Sequence, residues 1–236
     1  MIPNRLAETG KKAAGIRAAQ GIQPGMVLGL GTGSTVAYFL DALGARVSGG
    51  ELPGIVGVPT SDRTESRAAE LGIPLTSLEE AGTLDVTVDG ADEVAPNFDL
   101  IKGLGGALLR EKMVAQATKK LVIIVDEGKV VTKLGTRSPV PVEVLPFGWR
   151  SHLPFLGRLG AAPELRLAPD GEPYYTDNGN YILDCHFSEG IEDPIALDGA
   201  LAGRAGVLES GLFLGMAREV LVGRSGGVEL LDSVGG

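Results

Sequence analysis

Cysteine and histidine are nearly missing from this chain: its 236 residues include one cysteine, Cys185, and two histidines, His152 and His186. A lone cysteine excludes an internal disulfide framework and fits a reducing compartment. So thin a stock of soft ligands also argues against a zinc site or any other protein-built metal centre. Basic runs are missing too. Lys+Arg 21 stand against Asp+Glu 30, the formal net charge is −9, and no lysine or arginine cluster offers a nucleic-acid footprint. No apolar run approaches the roughly 20 residues that span a bilayer, and the amino-terminal residues lack the basic-then-apolar profile of a signal peptide. These absences lead to the expectation of a soluble, cytoplasmic protein acting on a small molecule, with no membrane or nucleic-acid partner. An anionic substrate would have to be met by local positive charge or by backbone amides.

Glycine is what the chain has in quantity, 36 residues, scattered among apolar blocks without a fixed period. That pattern fits many tight strand-to-helix turns and neither a low-complexity segment nor a solenoid. The length is enough for one sizeable domain or two small ones with a true core.

Along the chain, Asn4 can cap a first helix that Gly21 and Pro24 end. MVLGLG is a short apolar strand, and Val36, Phe39, Leu40 and Leu43 recur at helical spacing after the turn Gly31-Thr32-Gly33-Ser34-Thr35. Gly31 and Gly33 let backbone approach a ligand, and Thr32, Ser34 and Thr35 add hydroxyls beside the free N–H groups of a helix start. Such a turn suits a phosphate. It suits an ordinary N-cap equally, since it matches neither the dinucleotide fingerprint nor a P-loop. GIVGVP predicts a second strand, with Thr60 or Ser61 capping the helix that follows; LDVTVDG predicts a third and LVIIV a fourth, ending near Asp126 and Lys129. Strands alternating with helices point to an α/β fold: a mostly parallel sheet with helices on both faces.

From Pro139 the texture changes. Several prolines, a helix around 149–159, the strands ELRLAP and NYILDCHF with the turn TDNGN before the second, and a helix in DPIALDGALAGR suggest a smaller α+β domain. The division expected is 134–205 for this domain, with 1–133 and 206–236 forming the larger one, whose sheet the apolar tail completes. Cys185 and His186 fit a partly buried strand.

The chemistry concentrates in Asp85 to Lys112. Asp89 follows an apolar strand and precedes Gly90, at the edge where open α/β sheets hold ligands. Ala91, Asp92 and Glu93 come next; then Lys102 opens the run Gly103-Leu104-Gly105-Gly106, which leads into a helix containing Glu111. Acids at 89, 92 and 111 with a lysine at 102 form a kit for abstracting a proton beside a carbonyl and stabilising the oxyanion that develops. Spacing alone also allows Glu111 to be an exposed helix residue paired with Arg110 or Lys112. It allows Asp92 and Glu93 to lie in a solvated loop and Lys129 to be a surface lysine.

Six blocks in order, GTGST at 31–35, VDGADE at 88–93, IKGLGGALLREK at 101–112, VDEGK at 125–129, PVEVLP at 141–146 and TDNGN at 176–180, resemble the type A ribose-5-phosphate isomerase family. The resemblance implies interconversion of ribose 5-phosphate and ribulose 5-phosphate in the non-oxidative pentose phosphate pathway, without metal or organic cofactor. It implies a Rossmann-like domain with a smaller α+β domain, assembled as a homodimer or homotetramer. It makes Glu111 the general base, with Asp89, Asp92 and Lys102 handling protons and sugar oxygens. Substrate contacts fall to Thr32, Gly33, Ser34, Thr35, Gly90, Ala91, Gly103, Leu104, Gly105 and Lys129. The sequence departs from the family's pattern at Leu104, where a glycine is usual, and at Leu109, where a threonine is common. Two other functions share parts of this pattern: a sugar-phosphate sensor, for which no DNA-binding module is evident, and another sugar-phosphate isomerase or an aminosugar-phosphate deaminase.

Overall fold

The structure, a computed structural model, describes residues 2–231, with side chains from residue 6 onward. In chain order the first elements are α1 (Ile2–Gln20), β1 (Val27–Leu30), α2 (Ser34–Ser48), β2 (Val56–Pro59), α3 (Asp62–Glu70), α4 (Leu78–Ala81) and β3 (Val86–Asp89). Two short strands, β4 (Glu93–Val94) and β5 (Leu100–Ile101), precede α5 (Leu108–Gln116) and β6 (Leu121–Asp126). Next come β7 (Val140–Val144), α6 (Leu153–Arg158), β8 (Ala162–Leu165), β9 (Tyr181–His186) and α7 (Pro194–Ala202). The chain closes with β10 (Val207–Ser210), β11 (Leu212–Phe213), β12 (Ala217–Arg224) and β13 (Gly227–Leu231).

The larger sheet has the order β13-β12-β6-β3-β1-β2, parallel throughout except for the antiparallel edge strand β13. Its inner strands are mostly apolar on both faces because both are covered, and period-2 alternation sends successive side chains to opposite sides. Val122 and Ile124 of β6 join Leu28, Leu30, Val88, Phe39 and Leu43 in the core under α1 and α2. Leu121, Ile123 and Val125 face the other way, onto Ala115 of α5, Leu100 of β5 and Phe213 of β11. Since Val86 and Val88 belong to the α1/α2 side, Thr87 and Asp89 must face α5. This parity puts Asp89 on the face that carries Glu111.

Two antiparallel sheets complete the molecule: β11-β5-β4 beside the large sheet, and β10-β7-β9-β8 around its own core of Val140, Val142, Val144, Leu183 and Leu197. Cys185 lies inside this second core, and burial pushes its thiol up to about 12, so it packs as a small apolar residue. His186, its neighbour in β9, is exposed.

Several local expectations change. The first helix spans Ile2–Gln20, so the position of Asn4, expected at its cap, falls within it. The strand expected over ELRLAP is displaced toward the amino terminus, to Ala162–Leu165. The tail divides: β12 and β13 complete the large sheet, β11 pairs with β5, and β10 pairs with β7 of the small sheet. Sequence periodicity identifies a strand, but its partner is chosen by tertiary packing. Among the described residues, no helix is long and apolar enough to cross a membrane.

Candidate active site

The carboxyl ends of β1, β3 and β6 open on one edge of the sheet, and the loops leaving them line a cleft. Its wall is formed by Thr32, Gly33, Ser34, Thr35, Gly90, Ala91, Asp92, Lys102, Gly103, Gly105, Glu111 and Lys129. Asp89 lies beneath this wall, 1% exposed. Its Oδ1 accepts from the backbone N–H of Thr32 at 3.0 Å and of Gly90 at 2.7 Å, and its Oδ2 faces the Lys102 ammonium at 2.9 Å. One carboxylate thus ties the β1 turn, the β3 end and the lysine together. Gly31 is required for this, because a Cβ there would overlap the Asp89 carboxylate.

The turn after β1 is also held from outside. The Thr32 hydroxyl bonds those of Thr60, Ser61 and Thr64, at 2.8, 2.8 and 3.0 Å, and the Thr64 hydroxyl donates to the Gly31 carbonyl at 2.8 Å. Ser61 caps α3 by accepting from the Thr64 N–H. The Thr32 hydroxyl is therefore committed to the fold. This knot is the part of the site that sequence pattern alone misses; a cluster of hydroxyl residues after both β1 and β2 is its only trace there. Gly33 at φ 136 turns the chain into α2, whose start has no side-chain cap, so the N–H groups of Ser34 and Thr35 stand at the cleft with the positive end of the helix dipole. Opposite them, Asp126 caps a 3₁₀ turn over Glu127–Lys129, bringing Lys129 to the cleft 3.8 Å from Asp92.

Lys102 follows β5 and is 2% exposed, with its ammonium 5.3 Å from the Phe213 ring centroid. It donates to the Gly90 carbonyl at 2.6 Å and lies 3.3 Å from Glu111 Oε2. Burial alone would push the lysine pKa down, but the charges of Asp89 and Glu111 outweigh it and hold it above its usual value.

Glu111 occupies the first turn of α5, 3% exposed, so it is not the surface residue that REK alone allows. Among the described residues its Oε2 has no partner in hydrogen-bond geometry; the Lys102 ammonium stands beside it at charge-pair distance. Burial, reinforced by Asp89 and opposed by Lys102, pushes this carboxyl up to about 8. A carboxylate so held is a strong, underused proton acceptor facing a cation and a cleft.

Asp92 is part-buried, and its Oδ2 accepts from the Leu104 N–H at 2.9 Å, tying the glycine-rich loop down. Leu104 has no positive φ, is 41% exposed and does not line the cleft, whereas Gly103 and Gly106 adopt φ 101 and 84. The loop's close approach therefore relies on its glycines, and leucine is accommodated where the chain turns outward. Glu93, expected in a solvated loop, is fully buried: its oxygens accept from the N–H groups of Gly135, Arg137 and Ser138, each at 2.6 Å. Burial in β4 removes it from solvent, and a returning loop supplies its donors. Among the described residues no group of three or more His, Cys, Asp or Glu is arranged to hold a metal ion; between Asp89 and Glu111 the cation is Lys102.

The comparisons with known proteins agree with this geometry. Residues 56–227 match the family model described as ribose 5-phosphate isomerase A (phosphoriboisomerase A). A ribose-5-phosphate isomerase A of Chloroflexus aurantiacus is 50% identical over 222 residues, covering 94% of this chain and 92% of that protein. A probable chloroplastic ribose-5-phosphate isomerase 3 of Arabidopsis thaliana is 49% identical, covering 94% and 82%. Two solved structures superpose with a TM-score of 0.93: a D-ribose-5-phosphate isomerase in complex with phospho-erythronic acid, 43% identical with 96% and 99% covered, and the Plasmodium falciparum ribose 5-phosphate isomerase, 39% identical with 97% and 100% covered. With so much of its length matched, and the acids and lysine of its motifs gathered in one cleft, this chain belongs to the ribose 5-phosphate isomerase A family.

Proposed function

We propose that the chain is an aldose–ketose isomerase that interconverts D-ribose 5-phosphate and D-ribulose 5-phosphate. The observation that carries the reading is Glu111: a buried carboxylate with one oxygen free of hydrogen bonds, 3.3 Å from a buried ammonium and lining the cleft. Glu111 removes the proton from C2 of the open-chain aldose and delivers it to C1, while a proton passes between O2 and O1. Lys102 stabilises the enediolate oxygen, and Asp89, held by backbone amides, fixes that lysine in place. Asp92 orders the glycine-rich loop and handles sugar hydroxyls together with Gly90, Ala91, Gly103 and Gly105. The phosphate docks at the start of α2, on Gly33, Ser34 and Thr35, with Lys129 supplying the opposite charge. The phospho-erythronic acid bound by a solved relative supports this choice, since a carboxylate next to a phosphorylated polyol has the charge and shape of the enediolate. No cofactor takes part in these steps.

We assign the α/β unit, 1–133 and 211–236, to catalysis and the unit 134–210, which β10 joins by pairing with β7, to its support, in a cytoplasmic homodimer or homotetramer. The test is ribulose 5-phosphate formation from ribose 5-phosphate by the purified protein in excess chelator, beside Glu111→Gln. Chelator-resistant turnover that collapses in the variant is expected. Saturable sugar-phosphate binding without turnover would replace the enzyme by a sensor, and turnover surviving in the variant would remove Glu111 as the base.

A further inference from the structure

Two sequence blocks, PVEV and TDNGN, contribute no residue to the cleft wall, yet in the fold they meet. Glu143 of β7 is fully buried, and its Oε1 accepts from the Thr176 hydroxyl at 2.9 Å and from the side-chain amides of Asn178 at 3.1 Å and Asn180 at 2.9 Å. A single carboxylate oxygen with three donors staples the whole turn 176–180 onto the small sheet. The outer side of that turn grips the large unit. Asn178 Oδ1 accepts from Arg110 Nε at 3.0 Å, and the Asp177 carbonyl accepts from Arg110 Nη2 at 3.1 Å. The Asp177 carboxylate accepts from the Asp62 N–H at 2.9 Å, and the Asp62 carboxylate accepts from Arg110 Nη1 at 2.6 Å.

The two gripped residues stand at informative places. Arg110 directly precedes Glu111 on α5. Asp62 directly follows Ser61, whose hydroxyl belongs to the knot that fixes the turn after β1. The clasp therefore joins the helix that carries the proton acceptor to the loop that opens the phosphate end. Resting on the isomerase reading above, we propose that the turn 176–180 is a positioning element for the reaction: Glu143 sets the turn, and Asn178 and Arg110 set the distance of Glu111 from a substrate anchored at the start of α2. None of the three touches substrate; they act through Glu111.

Exposure separates this role from plain stability. The side chains of Arg110, Asp62 and Asp177 are 34%, 66% and 29% exposed, and exposed ion pairs add little to folding free energy. Proton transfer between carbons, in contrast, is steeply sensitive to sub-ångström placement. Breaking the clasp should therefore lower turnover out of proportion to its effect on folding.

The experiment measures kcat, KM, Tm and the kinetic isotope effect of C2-deuterated ribose 5-phosphate for the wild type, Arg110→Ala, Asn178→Ala, Arg110→Lys and Glu111→Gln. Expected for the two alanine variants is a kcat lower by about tenfold or more, with KM within about twofold and a larger isotope effect; Tm should be nearly unchanged in Arg110→Ala and modestly lower in Asn178→Ala, which also removes a donor from buried Glu143. Arg110→Lys, which keeps the charge for Asp62 but loses the fork to the turn, should fall between them and the wild type. Unchanged kcat in both alanine variants, or a kcat loss that merely follows a falling Tm without change in the isotope effect, overturns the proposal while leaving the isomerase intact. A wild-type protein without turnover, or a fully active Glu111→Gln, overturns the reading on which it rests and the proposal with it.

Discussion

Two buried glutamates, Glu93 and Glu111, are treated in opposite ways. Around Glu93 the returning loop aims three backbone N–H groups at the two carboxylate oxygens, and the charge is fully compensated by hydrogen bonds. Around Glu111 there is one ammonium at 3.3 Å and no hydrogen bond to Oε2, with the Asp89 charge nearby, and the carboxyl is pushed up to about 8. Burial is nearly equal, so burial does not distinguish a structural acid from a reactive one; the count of donors does. Glu93 also has an indirect link to ligand. The loop it fixes sends Arg137 Nη1 to the Gly128 carbonyl at 2.6 Å, and Gly128 belongs to the turn that presents Lys129.

The contrast is broken most severely at Glu111. Replacing it with glutamine leaves an isosteric side chain unable to take a proton, and turnover should fall by about a thousandfold, checked by single-turnover and steady-state assays. The same substitution should stabilise the fold. The folded-state pKa of Glu111 lies above its ordinary value of 4.5, so the native state holds a proton that the unfolded chain releases, and stability drains away as pH rises from 4.5 through about 8. Glu111→Gln should therefore gain on the order of 5 kcal/mol over the wild type at pH 9, the gain vanishing toward pH 4, as urea titrations at both pH values will show. Activity follows the inverse course: kcat/KM should rise with pH to a midpoint near 8, since the base works ionised.

At Glu93 the sign reverses. Glu93→Gln would turn an amide donor toward backbone donors, and a loss of about 3 kcal/mol of folding free energy is expected by denaturant titration. Because the chemistry is elsewhere, kcat per folded molecule should hold while KM for the sugar phosphate rises through the displaced Lys129. An equal loss in kcat would erase the distinction between the two acids. The smallest effect is expected at Leu104: Leu104→Gly should cost roughly 0.5–1 kcal/mol through added backbone freedom and change kcat/KM by less than twofold, because the leucine side chain points away from the cleft.

Local chemistry makes much of this protein legible in its amino-acid order. Short apolar runs that stop at Gly31, Gly90 and Glu127 announce buried parallel strands with ligand-type loops, and the helical spacing of Val36, Phe39, Leu40 and Leu43 announces α2. Asp89 is identifiable because a strand end before glycine is a place, not just a residue type. Glu111 is not identifiable from spacing, since REK in a helix fits solvent as well as a core; only the six ordered blocks single it out. Glu93 misleads for the same reason: a carboxylate in a polar loop gives no sign of the donors that come from residues 135–138.

The sequence by itself determined the alternation of strands and helices, the edge of the sheet at which ligand loops gather, and the acids and lysine available there, because these follow from periodicity and turn chemistry within a few residues. Tertiary structure alone decided which acids lose their solvent, which of them find donors, and that Glu143 and the turn 176–180 reach across to Arg110. Desolvation and hydrogen-bond satisfaction depend on groups far apart in the chain, and no local pattern encodes which of those groups will meet.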